Sequence, residues 1–370
     1  MSRLAGLVGA ALILGLATPA DATVPPVVAA ASAVLLDASS GRVLYALAPD
    51  VRRPPASTTK MLTALLVAES LTPQTLVPIS ARAAAERSGA AIGLESGERW
   101  TADELMRAML MHSANDAAVA LAEAVAGSPE AFARRMNERA MTLGARHSHF
   151  ITPHGRYHPQ HYSTARDLAL IGREALRVPW IAGIVRTQTW ELRRTGGERL
   201  VINTNSLLWR YAGADGIKTG WIAESGPSLV ASATRQGWQL IAVVLNSPRM
   251  FREAAVLLDY GFGAFSRVPA VSRGEVVRTV PVSNGARALI AAANEDAVVL
   301  VPRGAALART VALTKVQAPI ARDEVVGTLV FTSRGVEVGR VPLVAAEEVP
   351  LRSPLARLVR WLVNLVGGRP

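Results

Sequence analysis

Strand-like sequence lies at both ends of residues 30–266 and helix-like sequence fills the middle, and this arrangement constrains the fold more than any other feature of the chain. Near the start, AVLLDASSGRVLYAL sets two apolar runs around Ala38-Ser39-Ser40-Gly41, the pattern of a β-hairpin. From about Asp215 the runs GIKTGW, SLVASATR and WQLIAVVLN follow, the last two divided by a Gln236-Gly237 turn, and REAAVLLDYGFGAF then returns to helical spacing. Strands so far apart in sequence share one core by joining one sheet. The spacing therefore predicts an α+β domain, an antiparallel sheet assembled from both ends with a helical lobe inserted. Inside the lobe, Thr101 and Glu104 open TADELMRAMLM with a capping-box spacing. Gly127 followed by Ser128-Pro129 ends one helix and starts the next, which Gly144 closes.

Beyond Val268 the texture changes to short Val-rich runs cut by Gly and Pro, including GEVVRTVPV, DAVVLVPRG, ARTVALTKV and VVGTLVFTSRGVEVGRVPLV. These predict a small all-β domain of sandwich type over 268–348, with Val298-Val299-Leu300-Val301 and Thr328 to Phe331 as buried strands. The chain of 370 residues is long for one domain, and half its residues are hydrophobic, so two cores are affordable. Its start, MSRLAGLVGAALILGLATPADATVPP, has a basic residue, an apolar stretch too short to span, and Ala20-Asp21-Ala22 as a small-x-small site. It is expected to be an export leader over 1–22, cleaved before Thr23. The end, SPLARLVRWLVNLVGGRP, pairs an apolar side (Leu355, Leu358, Val359, Leu362, Val363, Val366) with Arg352, Arg357 and Arg360. Residues 349–370 are expected to form an amphipathic helix lying on an anionic membrane surface, although a helix packed on the β domain fits the same pattern. The main domain is thus expected over 23–267.

Composition narrows the chemistry. The chain has no cysteine, which removes disulfides, thiol nucleophiles and cysteine metal sites together. The net charge of +11 fits an anionic polymer or lipid, or simply an arginine-rich composition; no nucleic-acid motif accompanies it, so nucleic acid is not an expected partner.

Three short motifs carry the chemical signal. In PPASTTKMLTALLVAES, Ser57 and Lys60 stand one turn apart ahead of Met61, Leu62, Leu65 and Leu66. A lysine held out of water loses its preference for the charged form and can take a serine proton. A helix N-terminus also favours negative charge beside the serine. The same spacing fits a capping serine and a lysine whose head reaches solvent. In MHSANDAAVALAEA, Ser113 and Asn115 fall in a break between helices, where a hydroxyl can pass a proton and an amide can hold a carbonyl; Ser113, Asn115 or Asp116 could equally cap the next helix. In GADGIKTGWIAESG, Lys218 and Thr219 end a strand and suit a carboxylate, and Gly220 allows close approach of a substrate backbone; an edge-strand turn is the alternative.

Each motif alone is weak, but S-x-x-K, S-x-N and K-T-G in this order form the set found in penicillin-binding proteins and class A β-lactamases. The sequence resembles the D-alanyl-D-alanine carboxypeptidases of the low-molecular-mass penicillin-binding protein family. The resemblance runs from about Ala29 to Phe265 and includes HFITPHGRYHPQHYSTARDLA, GADGIKTG and LLDYGF. It implies a penicillin-binding, serine β-lactamase-like fold and a peptidoglycan stem-peptide substrate. It further implies covalent inhibition by β-lactams, no cofactor, no metal, and a place on the outer face of the cytoplasmic membrane.

By the same resemblance Ser57 is the nucleophile, Lys60 its base and Ser113 the proton relay to the leaving D-alanine. Asn115 holds the peptide amide, and Lys218 and Thr219 the terminal carboxylate. The backbone N–H groups of Ser57 and Trp221 form the oxyanion hole, and Arg252 adds to carboxylate binding. His112 and Trp221 depart from the residues usual at their positions, as does the run WIAESGPSL.

Transpeptidase or endopeptidase action with the same nucleophile is the nearest alternative. A β-lactamase is less expected because no glutamate-bearing loop stands at the class A position. Five of the six histidines lie between His147 and His161; without H-E-x-x-H or a nearby carboxylate they are expected to form a polar loop at the cleft edge rather than a metal site.

Overall fold

The computed structural model describes residues 24–194 and 197–353. The expected leader lies outside these residues, as does the tail from Pro354 onward. The chain divides into one unit over Val24–Phe262 and a second that begins at Gly263.

The first unit contains a five-stranded antiparallel sheet whose spatial order is Val43–Leu47, Ser32–Asp37, Trp238–Leu245, Ser228–Arg235, Ala214–Gly220. The N-terminal hairpin thus adds directly to the C-terminal strands, with Val34 opposite Val243 and Leu36 opposite Ile241. This is the sheet built from both ends that the periodicity predicts. Ala214–Gly220 forms its edge and carries the K-T-G residues.

The helical lobe surrounds helix Lys60–Ser70, which packs against helices Ala102–Met111, Asn115–Ala126, Pro129–Thr142 and Ala165–Arg177. Lys60 through Val67 are all buried. Each fully buried Met or Leu here contributes roughly 1.5–3 kcal/mol relative to exposure, and this offsets the cost of holding one amine in the same segment out of water. The caps follow the sequence. Thr101 Oγ1 accepts from Glu104 N at 3.2 Å while the Glu104 carboxylate accepts from Thr101 N at 2.9 Å. Gly127 adopts the left-handed conformation and Ser128 caps the helix that Pro129 opens. Two ribbons escaped the periodicity argument, Leu76–Pro78 with Arg99–Thr101 and Thr189–Arg194 with Gly197–Ile202.

The second unit is all-β. A five-stranded sheet runs in the order Val276–Val280, Leu289–Ala293, Val336–Ala345, Val325–Ser333, Ala308–Leu313, and Phe265–Val271 pairs with Ala297–Pro302. Its core includes Leu329, Phe331, Val341 and Leu343. Val299, Leu300 and Val301 are buried as expected, but Val298 is 48% exposed, because this strand alternates at its start. Val349 bridges to Ile320 and Leu351 to Gly285, so the first residues assigned to the tail segment belong to this β unit.

Candidate active site

Ser57 lies in a 3₁₀ turn, Ala56–Thr59, and the α-helix begins at Lys60. The residue capping that α-helix is Thr59, and neither turn nor helix has a side-chain cap. Lys60 is wholly buried. Both findings dispose of the capping serine and the solvent-reaching lysine. Ala56, directly before the serine, has φ +48°, a left-handed conformation that costs a non-glycine residue about 1 kcal/mol or more.

Lys60 Nζ has three oxygen neighbours. Ser57 Oγ is at 2.9 Å, Asn115 Oδ1 at 2.7 Å and the His154 carbonyl at 2.9 Å. Burial, with the nearby Lys218 charge adding to it, holds the Lys60 amine well below the ordinary lysine range. A neutral amine has two N–H donors and one lone pair. Asn115 Oδ1 and the His154 carbonyl can only accept, so they take the two N–H groups. The hydroxyl of Ser57 is the one neighbour able to donate to the lone pair. The Asn115 orientation is fixed independently, since its Nδ2 donates to the Ser88 carbonyl. The geometry therefore points the serine proton at the lysine.

Ser113 sits in the break between helices Ala102–Met111 and Asn115–Ala126, whereas Asn115, expected in that break, is the first residue of the second helix. The cap position of the second helix is Ala114, which has no capping side chain, so these polar residues are not spent on helix ends. Ser113 has φ +69°, a strained conformation, and lines the cleft together with Ser57. Asp116, fully buried, accepts from the backbone N–H groups of Ile92, Gly93, Leu94 and Ala117, which anchors the loop that brings Ser88 and Gly89 to Asn115.

On the strand edge, Lys218 is buried and its Nζ donates to the Thr219 carbonyl at 3.1 Å. Burial lowers its pKa to about 7. Thr219 Oγ1 lies 2.7 Å from Thr204 Oγ1. A Cβ on Gly220 would stand 3.1 Å from the Pro55 carbonyl and 3.2 Å from Ser57 N, so a glycine here lets the strand lie against the nucleophile turn. Trp221 follows at the cleft with 67% exposure. The structure thus brings Ser57, Ser113, Asn115, Thr219, Gly220 and Trp221 to one cleft of about 490 Å³, with Lys60 buried behind Ser57 and Lys218 buried on the adjoining strand. Arg252 is exposed on helix Met250–Ala264 and is not among the lining residues, although Met250 and Phe251 are.

Sequence reasoning missed the supports of this site. Gly155, at φ +87°, presses on the turn so closely that a Cβ would fall 1.8 Å from the Ala56 carbonyl. His154 gives its carbonyl to Lys60, and its Nε2 lies 3.6 Å from Glu86. That contact is the main cause holding Glu86 at about 2. His161 Nδ1 accepts from Ile151 N at 3.2 Å, and Nε2 lies 3.0 Å from Thr59 Oγ1. Burial takes His161 down to about 3, so it is neutral and its single N–H donates to Thr59. His154 and His161 brace the nucleophile turn. Among the described residues no group of three or more His, Asp or Glu is placed to hold a metal ion.

Residues 19–249 match the family described as D-alanyl-D-alanine carboxypeptidase, and residues 265–351 match the penicillin-binding protein 5 C-terminal domain. The chain is 33% identical to D-alanyl-D-alanine carboxypeptidase DacF of Bacillus subtilis, over 86% of each chain. It is also 33% identical to DacA of Escherichia coli, over 91% of this chain and 88% of that one. Penicillin-binding protein 5 from Haemophilus influenzae superposes with a TM-score of 0.80 at 30% identity, covering 88% of this chain and 99% of that one. These matches place the chain among the serine acyl-transfer enzymes. The chain belongs to the D-alanyl-D-alanine carboxypeptidase family of low-molecular-mass penicillin-binding proteins, and it is a serine peptidase.

Proposed function

We propose that Ser57, Lys60, Ser113, Asn115, Lys218 and Thr219 carry out this hydrolysis in the following roles. Ser57 Oγ attacks the carbonyl of the penultimate D-alanine as its proton passes to the Lys60 lone pair. The backbone N–H groups of Ser57 and Trp221 receive the developing oxyanion. The C–N bond then breaks as Ser113 gives its proton to the departing amine of the terminal D-alanine and is reprotonated by the proton Lys60 took from Ser57. Asn115 holds the peptide amide, and Lys218 with Thr219 takes the terminal carboxylate, with Arg252 as an outer cation. Water then cleaves the Ser57 ester. The observation that carries this reading is the neighbour set of Lys60, which leaves only Ser57 able to donate to the amine.

A stem pentapeptide ending in D-Ala-D-Ala tests it. Purified protein is expected to release one alanine and leave the tetrapeptide. A cross-linked dimer would instead identify a transpeptidase, and an untouched pentapeptide would refute the assignment.

We place the enzyme at the outer face of the cytoplasmic membrane, exported by the leader and held peripherally by the amphipathic tail. Its anionic partner is the lipid surface, to which each basic residue adds about 1 kcal/mol. Among the described residues no helix is long and apolar enough to cross a membrane. Removing Pro354 to Pro370, which leaves the Leu351 bridge of the β unit in place, is expected to release the protein from anionic vesicles with hydrolysis of a soluble peptide almost unchanged. Continued sedimentation of the truncated protein would move the anchor elsewhere.

A further inference from the structure

The cleft carries one cation more than a D-alanyl-D-alanine terminus requires. In the reading above Lys218 meets the terminal carboxylate, with Arg252 as an outer cation. Arg156 also lines the cleft and is exposed there. Among the described residues its guanidinium has no hydrogen-bond or acidic partner, and no Asp or Glu stands among the lining residues. An unpartnered arginine on an open surface would mean little. This one is held in place at its backbone: Arg156 N donates to His154 Nδ1 at 3.2 Å, and Gly155 beside it is wedged against the Ala56 carbonyl. Two residues back, His154 gives its carbonyl to Lys60. The backbone at Arg156 is therefore fixed relative to the nucleophile turn, and its side chain extends from that point into the cleft opening. The two flanking segments meet that turn at different atoms. Gly155 abuts Ala56 and Thr59 Oγ1, whereas Gly220, next to the carboxylate-binding pair, abuts Pro55, Ser57 N and Thr58. Arg156 and the carboxylate-binding pair thus reach the nucleophile turn from different segments of the chain.

We propose that Arg156 is a specificity-determining residue that recognises a second carboxylate of the substrate, on the acyl side of the scissile bond. Arginine matches a carboxylate with two parallel N–H donors and stays charged throughout the working pH range. A stem peptide can offer this anion in two ways. One is a side-chain carboxylate on a third residue that is a diamino dicarboxylic acid. The other is the α-carboxylate left free by a γ-linked glutamate at the second residue. The inference rests on the assignment of Ser57 as nucleophile and Lys218 as the terminal carboxylate site.

Four pentapeptides ending in D-Ala-D-Ala test it: both carboxylates free, either one amidated, and both amidated. For the wild-type protein, amidation of the recognised carboxylate is expected to lower kcat/KM about tenfold, the scale of a hydrogen-bonded charged pair; the singly amidated peptides show which carboxylate it is. Arg156→Gln should abolish that difference and leave the doubly amidated peptide within about twofold of the wild-type rate. Arg156→Lys should recover part of the preference. A wild-type enzyme indifferent to amidation overturns the proposal. So does an Arg156→Gln variant that loses the same factor on all four peptides, since that would put Arg156 on the terminal carboxylate. Failure of the underlying assignment looks different, because the wild-type protein would then release no alanine from any of the four.

Discussion

Ser57→Ala is expected to lower peptide hydrolysis by about ten-thousandfold or more, the scale of losing a serine nucleophile, and to remove covalent labelling by penicillin. Both outcomes follow from one acyl-enzyme. The fold should tolerate the change. The backbone of the turn is held from outside by Gly155 and Gly220, and the serine hydroxyl has no capping role. Lys60 would keep two of its three oxygen neighbours. Steady-state hydrolysis and labelling, measured on protein whose circular dichroism matches wild type, check this. Labelling that persists would place the acyl group on another residue.

Lys60→Arg keeps a cation but gives up the lone pair, and acylation is expected to fall about a hundredfold or more. The pH profile of the wild-type enzyme provides the companion test. Burial and the Lys218 charge depress the Lys60 pKa, so the basic form accumulates well below the ordinary lysine range, and kcat/KM rises with pH through that depressed value. Lys218 must carry its proton to meet a carboxylate. Burial puts it at about 7 before substrate binds, so kcat/KM falls again on the alkaline side of that value. The apparent values belong to the interacting pair rather than to either lysine. Lys218→Arg, which cannot lose its charge, should move the alkaline limb upward and leave the acid limb. A profile that is flat from pH 5 to about pH 10, the ordinary lysine value, would contradict both roles.

Much of this was legible because it is periodic or local. The hairpin around Ala38–Gly41 and the strands from Ala214 onward reveal a two-ended sheet through alternation, and Thr101 with Glu104 marks a helix start through a fixed spacing. The three motifs were legible as a set, whereas each was ambiguous alone. The supporting groups were not. His154 and Gly155 reach Lys60 and the nucleophile turn, and Glu86 and Ser88 reach His154 and Asn115, from segments tens of residues away in sequence, and loops carry no period. The histidine run is legible as a polar loop at the cleft edge, where His154 does line the cleft, but nothing in its spacing reveals that His161 aims at Thr59. Spacing alone does not distinguish the 3₁₀ turn at Ser57 from an α-helix start, since the two differ by a single residue of hydrogen bonding. The exposure of Val298 is not legible because four apolar residues in a row hide which face each one takes.

The most direct measurement of the central claim is the position of the trapped acyl group. Protein incubated with penicillin, digested and mapped by mass spectrometry should carry one drug mass on the peptide containing Ser57, with fragmentation placing it on that serine. An adduct on Ser113, on a lysine or on any peptide lacking Ser57 would contradict the account.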